Sequence, residues 1–126
     1  MTVAMSFTEI DLPSFSTQAQ QLPDTIVVRL IGNADMTAHE PLKKYIEELH
    51  RTAKAAKVKE AVFDLEELYF MNSSCLSLFL RLLNSLTESN RSHAYTLRFR
   101  SNPRLHWQRR SLAAVRSYAQ GLVVVD

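Results

Sequence analysis

Apolar positions along this chain switch between a period of two and a period between three and four, and each switch marks an element. Ile26-Val27-Val28-Arg29-Leu30-Ile31 is β-branched and apolar, bounded by Pro23 and Gly32, and predicts a strand. Leu42, Tyr45, Ile46 and Leu49 follow at i, i+3, i+4 and i+7, one stripe of a helix whose other face is Lys43, Lys44, Glu47 and Glu48. Thr37 and Glu40 have capping-box spacing, whereas Pro41 suits a first helical position, so the start is set only to within a turn. Ala61-Val62-Phe63-Asp64-Leu65 predicts a second core strand, with Glu66 to Phe70 as its outgoing connection.

The polar step Met71-Asn72-Ser73-Ser74-Cys75 precedes a second helix, to about Ser89, capped by Asn72 or Ser73. Its apolar positions span an arc of roughly 200°, wider than one buried stripe, which leaves Leu76 and Leu80 at the edge for a partner. Ala94 to Phe99 alternates as a half-buried strand, and Asn102-Pro103 opens a third helix carrying Trp107, Leu112, Val115 and Tyr118. That helix ends near Gly121, and Leu122 to Val125 forms a last strand. Residues 1–24, rich in Ser, Thr and Gln, read as a leader contributing an edge strand around Ser6 to Leu12; residues 25–126 read as one domain. Strands alternating with helices predict an α/β fold with a largely parallel sheet.

Composition narrows the function. The 126 residues suit one domain, and the single cysteine, Cys75, excludes an intramolecular disulfide. Two glycines, Gly32 and Gly121, leave no dinucleotide fingerprint, P-loop or nucleophile elbow. No signal-peptide pattern opens the sequence, and the longest apolar stretch, Cys75 to Leu83, is far too short to cross a bilayer, so a cytoplasmic protein without membrane insertion is expected.

Candidate chemistry is sparse. His39, His50, His93 and His106 have no metal-ligand spacing and read as surface residues, so no metal and no cofactor is expected. Asp64, Glu66 and Glu67 cluster at a strand end without an identifiable nucleophile or base, which argues against an enzyme and leaves no catalytic residue to name. Seven arginines (91, 98, 100, 104, 109, 110 and 116) occur from 91 to 116 without one carboxylate. They suit an acidic protein partner or a solvated face as well as phosphates, and no nucleic-acid motif accompanies them, so no nucleic acid is expected. Trp107, at helical spacing from Leu112 and Val115, reads as packing.

Ser73 differs because physics supplies a mechanism. A serine at a helix N-terminus sets its hydroxyl beside unpaired N–H groups and the positive end of the macrodipole. Phosphate there is stabilised within the protein while adding nearly two negative charges to its surface. The same residue type also serves as a plain N-cap, and both roles fit the sequence.

The stretch from Ala61 to Leu76 resembles the signature of the STAS domain: a strand, a connection ending in Phe-Met, then Asp-Ser-Ser-Gly-Leu opening a helix. Leu30-Ile31-Gly32-Asn33-Ala34-Asp35 resembles that family's Leu-x-Gly-x-Leu-Asp step. The resemblance covers about residues 25–126 and implies a four- or five-stranded mixed sheet with helices packed mainly on one face. It implies a bacterial regulator like the anti-sigma-factor antagonists, switched by phosphorylation of Ser73, with Ser74 as the alternative acceptor. The implied partners are a serine kinase of the histidine-kinase-like ATPase fold and a PP2C-type phosphatase. Asp35, Asn72, Ser73, Leu76 and Leu80 are the expected docking residues. Asn72 stands where the family has Asp, removing a charge beside the acceptor, and Cys75 where it has Gly, adding bulk where a partner would approach. The alternative is a STAS domain that senses a small nucleotide or lipid without phosphorylation.

Overall fold

The computed structural model describes residues 8–88 and 95–126; expectations touching Ser6, Phe7, Ser89, Arg91, His93 and Ala94 lie outside them. Six strands and three α-helices follow in order: β1 (Phe15–Gln21), β2 (Thr25–Ala34), a 3₁₀ turn (Met36–Ala38), α1 (His39–Ala56), β3 (Glu60–Asp64), β4 (Leu68–Met71), α2 (Ser73–Glu88), β5 (Thr96–Arg100), α3 (His106–Tyr118) and β6 (Val123–Val125). All six strands share one mixed sheet, one more than the four or five expected. The order is β1-β2-β3-β5-β6, with β1 antiparallel to β2 and the other pairs parallel.

Two strands are displaced or new relative to the sequence reading. The edge strand is Phe15–Gln21, later than Ser6 to Leu12; Asp11 makes only an isolated bridge to Ser16. Instead, Glu9 straps the segment down, its carboxylate accepting from the Thr17 hydroxyl, the Ala19 amide and the Tyr45 hydroxyl at 2.6–2.8 Å. The supposed connection after Asp64 folds back as β4, which pairs with β2 beyond the end of β3.

Register explains why one face is covered. Ile26, Ala61 and Leu97 align across β2, β3 and β5, as do Val28, Phe63 and Phe99, and all six are fully buried. Phe79 of α2 meets Phe63 and Phe99 edge-on, at centroid distances of 5.0 and 5.4 Å. The opposite face carries ion pairs instead: Arg29 with Asp64 and Glu67, and Arg98 with Glu60 and Asp126. The clustered carboxylates are therefore partners of arginines, with Glu66 exposed beside them.

Helix starts follow side-chain caps where one is present. Asp35, not Thr37, caps the 3₁₀ turn that leads into α1, accepting from the Thr37 amide and hydroxyl at 3.0 and 2.6 Å. Asn102 folds a turn of its own by accepting from the Arg104 amide, and α3 begins four residues later at His106.

Candidate functional site

Beyond β3 and β4 the chain must turn from sheet to helix, and that turn makes the site. The Asn72 amide donates to Ala34 O at 3.0 Å, tying the end of β4 to the end of β2. The Asn72 side chain then accepts from the Cys75 amide at 2.8 Å, so Asn72 is the cap of α2. With capping assigned to Asn72, Ser73 occupies the first helical position, exposed, and its hydroxyl makes no hydrogen bond among the described residues. Ser74 follows, also exposed. The first turn of α2 holds no acidic residue of its own.

Asp35 lies against this turn. The Cys75 thiol donates to Asp35 O at 3.6 Å, which fixes the loop beside the start of α2. The Thr37 hydroxyl holds the Asp35 carboxyl below the usual carboxylate range, so the group stays ionised. Cys75 does not obstruct a partner as its bulk suggests: the side chain is fully buried and turned toward the Asp35 loop. Burial, with the Asp35 charge adding to it, pushes the thiol up to about 11, which leaves it protonated and unreactive at neutral pH.

Of the expected docking residues, Asp35, Asn72 and Ser73 come together around this turn. Leu76 and Leu80 are half-buried, their inner sides packed against the core. Three apolar side chains that sequence reasoning passed over are far more open: Met36 at 72%, Tyr69 at 55% and Phe70 at 48% exposed. Met36 follows Asp35, and Tyr69 and Phe70 sit on β4 with Phe70 paired to Asn33. A signal existed, since adjacent Tyr69 and Phe70 cannot both face inward from a strand of period two.

Gln108 was also missed. Fully buried, it donates to Leu65 O and Leu68 O at 2.7 and 3.0 Å and accepts from the Asn102 amide at 2.7 Å, binding α3 to the β3–β4 crossing.

No known family's sequence profile and no curated protein matches the chain. Solved structures do. The anti-sigma factor antagonist SpoIIAA in its unphosphorylated form is 26% identical, over 67% of this chain and 71% of that one, with a TM-score of 0.51. The Bacillus cell-fate determinant SpoIIAA in the phosphorylated form is 23% identical, over 87% and 90%, with a TM-score of 0.59. An anti-sigma factor antagonist from Mycobacterium paratuberculosis is 16% identical, over 91% and 90%, with a TM-score of 0.61. The fold is the STAS fold of the anti-sigma factor antagonists.

Other parts of this STAS fold carry less chemistry. Among the described residues no group of His, Cys, Asp and Glu could hold a metal, and no helix is long and apolar enough to cross a membrane. His50 is not a plain surface residue: its Nδ1 lies 2.8 Å from the hydroxyl of buried Tyr95. Burial, then nearby Lys54, lowers its pKa from the ordinary 6.5. The unfolded chain therefore takes up this proton first as pH falls. Stability contributed at His50 is full above about pH 6.5 and declines below it, toward the lowered folded value. Urea midpoints of the native protein are expected to drop between pH 7.5 and 5.5, and to drop less in His50→Gln. A slope identical in the two proteins would exclude His50 as the source.

Proposed function

We propose that this chain is a cytoplasmic bacterial docking protein, not itself an enzyme, that releases a partner when Ser73 is phosphorylated. The observation that carries this is the open Ser73 hydroxyl on the first turn of α2, with Asn72 capping in its place. Similarity in fold to anti-sigma factor antagonists, one of them solved both unphosphorylated and phosphorylated, supports the same reading. The partner is a serine kinase of the histidine-kinase-like ATPase fold, and a PP2C-type phosphatase resets the switch.

The surface suits a reversible contact. Met36, Tyr69 and Phe70 supply the apolar anchors around Asp35 and Ser73, with Leu76 and Leu80 at the rim. Each large side chain fully covered contributes about 1.5–3 kcal/mol before the cost of association is subtracted. A phosphate at Ser73 interacts well with the amide-rich end of α2 in the free protein, but docking would strip its water and set it against partner carboxylates. Ionised Asp35 adds a like charge on the same rim.

The test uses the full chain. Ser73→Ala is expected to retain from a lysate of the source organism a protein that, given ATP, phosphorylates the native chain at Ser73. Ser73→Asp should bind that protein at least about tenfold more weakly by calorimetry, about 1.4 kcal/mol. Equal affinities would end the switch, and phosphorylation mapped to Ser74 would move it by one residue.

A further inference from the structure

Helix α3 has three arginines, Arg109, Arg110 and Arg116, and no acidic residue. None of them makes an ion pair among the described residues, whereas Arg29 and Arg98 on the sheet are paired. Arg109 and Arg116 flank a hollow of about 250 Å³ between α3 and β6, whose apolar floor is Leu105, Leu112 and Val125. Ala113 and Arg116 continue into a second hollow that runs on toward Gly121 and Val123, so one groove follows the strand.

That strand is also the end of the sheet. Among the described residues β6 pairs only with β5, through Leu97 N to Leu122 O and Asp126 N to Phe99 O among other bonds. Backbone groups of a strand alternate sides, so the N–H and C=O of Val125 point away from β5 at the open edge of the sheet. Unpaired edge groups accept an added strand.

We propose that this groove binds an extended acidic segment of a partner protein as an added strand along β6. Side chains of an added strand alternate faces, so apolar and acidic residues take turns at every second position on the α3 side: the apolar ones fill the floor and the carboxylates meet Arg109 and Arg116. The dimensions agree: the two arginines are seven residues apart, about 10.5 Å along one helix face. Carboxylates at every fourth position of the strand recur about every 13 Å on that side, a difference of about 3 Å that two flexible arginine side chains span. Charge complementarity selects an acidic occupant, and the apolar floor and strand edge select a polypeptide over a nucleic acid, since no aromatic ring lines the groove to stack a base. This surface shares no residue with the Ser73 site and does not depend on the switch.

The experiment is fluorescence anisotropy on the 126-residue protein with three labelled probes: a short valine peptide of repeating Glu-Ser-Val-Ser, a serine peptide of repeating Glu-Ser-Ser-Ser, and a single-stranded oligonucleotide. Saturable binding of the valine peptide is expected, weakened about tenfold by Arg109→Glu and by Arg116→Glu. Arg51→Glu on α1, the same change in net charge, should leave it unaltered. Unchanged circular dichroism verifies that each variant is folded, and Arg109→Gln serves as the milder substitution. Equal binding of the serine peptide, equal loss in Arg51→Glu, tighter binding of the oligonucleotide, or no saturable binding would each overturn the assignment.

Discussion

Gly32→Ala is expected to destabilise the protein by about 4 kcal/mol. Two costs add at this position. The backbone sits at φ +102°, a conformation that a residue with a Cβ adopts only under strain of about 1–3 kcal/mol. An added Cβ would also lie 2.2 Å from Ser14 O, and that oxygen cannot withdraw, because it accepts the Asn33 amide at 2.7 Å. Overpacking against such a fixed neighbour costs about 1–3 kcal/mol more. The Gly32 amide meanwhile bonds to Glu67 O at 2.9 Å, and the β2–β4 register slips between Gly32 and Asn33. One residue therefore sets the exit of β2, the approach of β4 and the course of the chain toward Asp35. At a denaturant slope of about 2 kcal/mol/M the urea midpoint should fall by about 2 M. A fall below about 0.5 M would show that the loop at Ser14 yields, and that Gly32 does not organise this end of the sheet.

What could be read from the sequence follows the range over which each signal acts. β2, α1 and α2 were legible because their stripes are local: Ile26, Val28 and Leu30, or Leu42, Tyr45, Ile46 and Leu49, decide their own neighbourhood and are all buried. β1 escaped because its inward positions, Phe15, Thr17 and Ala19, include only one strongly apolar residue. What orders it is distant, namely the β2 ladder and the Glu9 carboxylate. β4 escaped because Tyr69 and Phe70 break the alternation that marks a half-buried strand. Gln108 could not be foreseen, since its burial depends on oxygens 43 and 40 residues away along the chain.

The site was legible in the same uneven way. Asn72-Ser73 before an apolar run announces a helix start, and Asn72 and Ser73 divide the two roles that the sequence left open between them. Cys75 illustrates the opposite: one residue type fits a surface obstacle or a buried packing group, and only the approach of the Asp35 loop decides. Met36 was hidden because its polar neighbours Asp35 and Thr37 bond to each other, which forms the turn and leaves the thioether outside.

Phe79→Ala tests how the covered face of the sheet holds the site in place. Phe79 is almost fully buried, edge-on to both Phe63 and Phe99, which stack on each other at 5.6 Å with planes 21° apart. Truncation removes a large apolar side chain and leaves a cavity walled by strands that cannot close in, a loss of about 4 kcal/mol. Edge-on ring pairs add about 0.5–1.5 kcal/mol beyond buried area, so Phe79→Leu, which restores much of the volume, should recover only part of it. The site should feel the change before the whole protein does. Ser73 lies six residues earlier on the same helix, and the turn between is held to the sheet chiefly by Cys75 and by the Asn72 amide. Hydrogen exchange at the amides of residues 75–79 is expected to quicken in Phe79→Ala by more than exchange in β3, which keeps its ladders to β2 and β5. A uniform increase across both would mean that α2 and the sheet open as one unit, and that the aromatic cluster stabilises the fold without specifically seating the helix that carries Ser73.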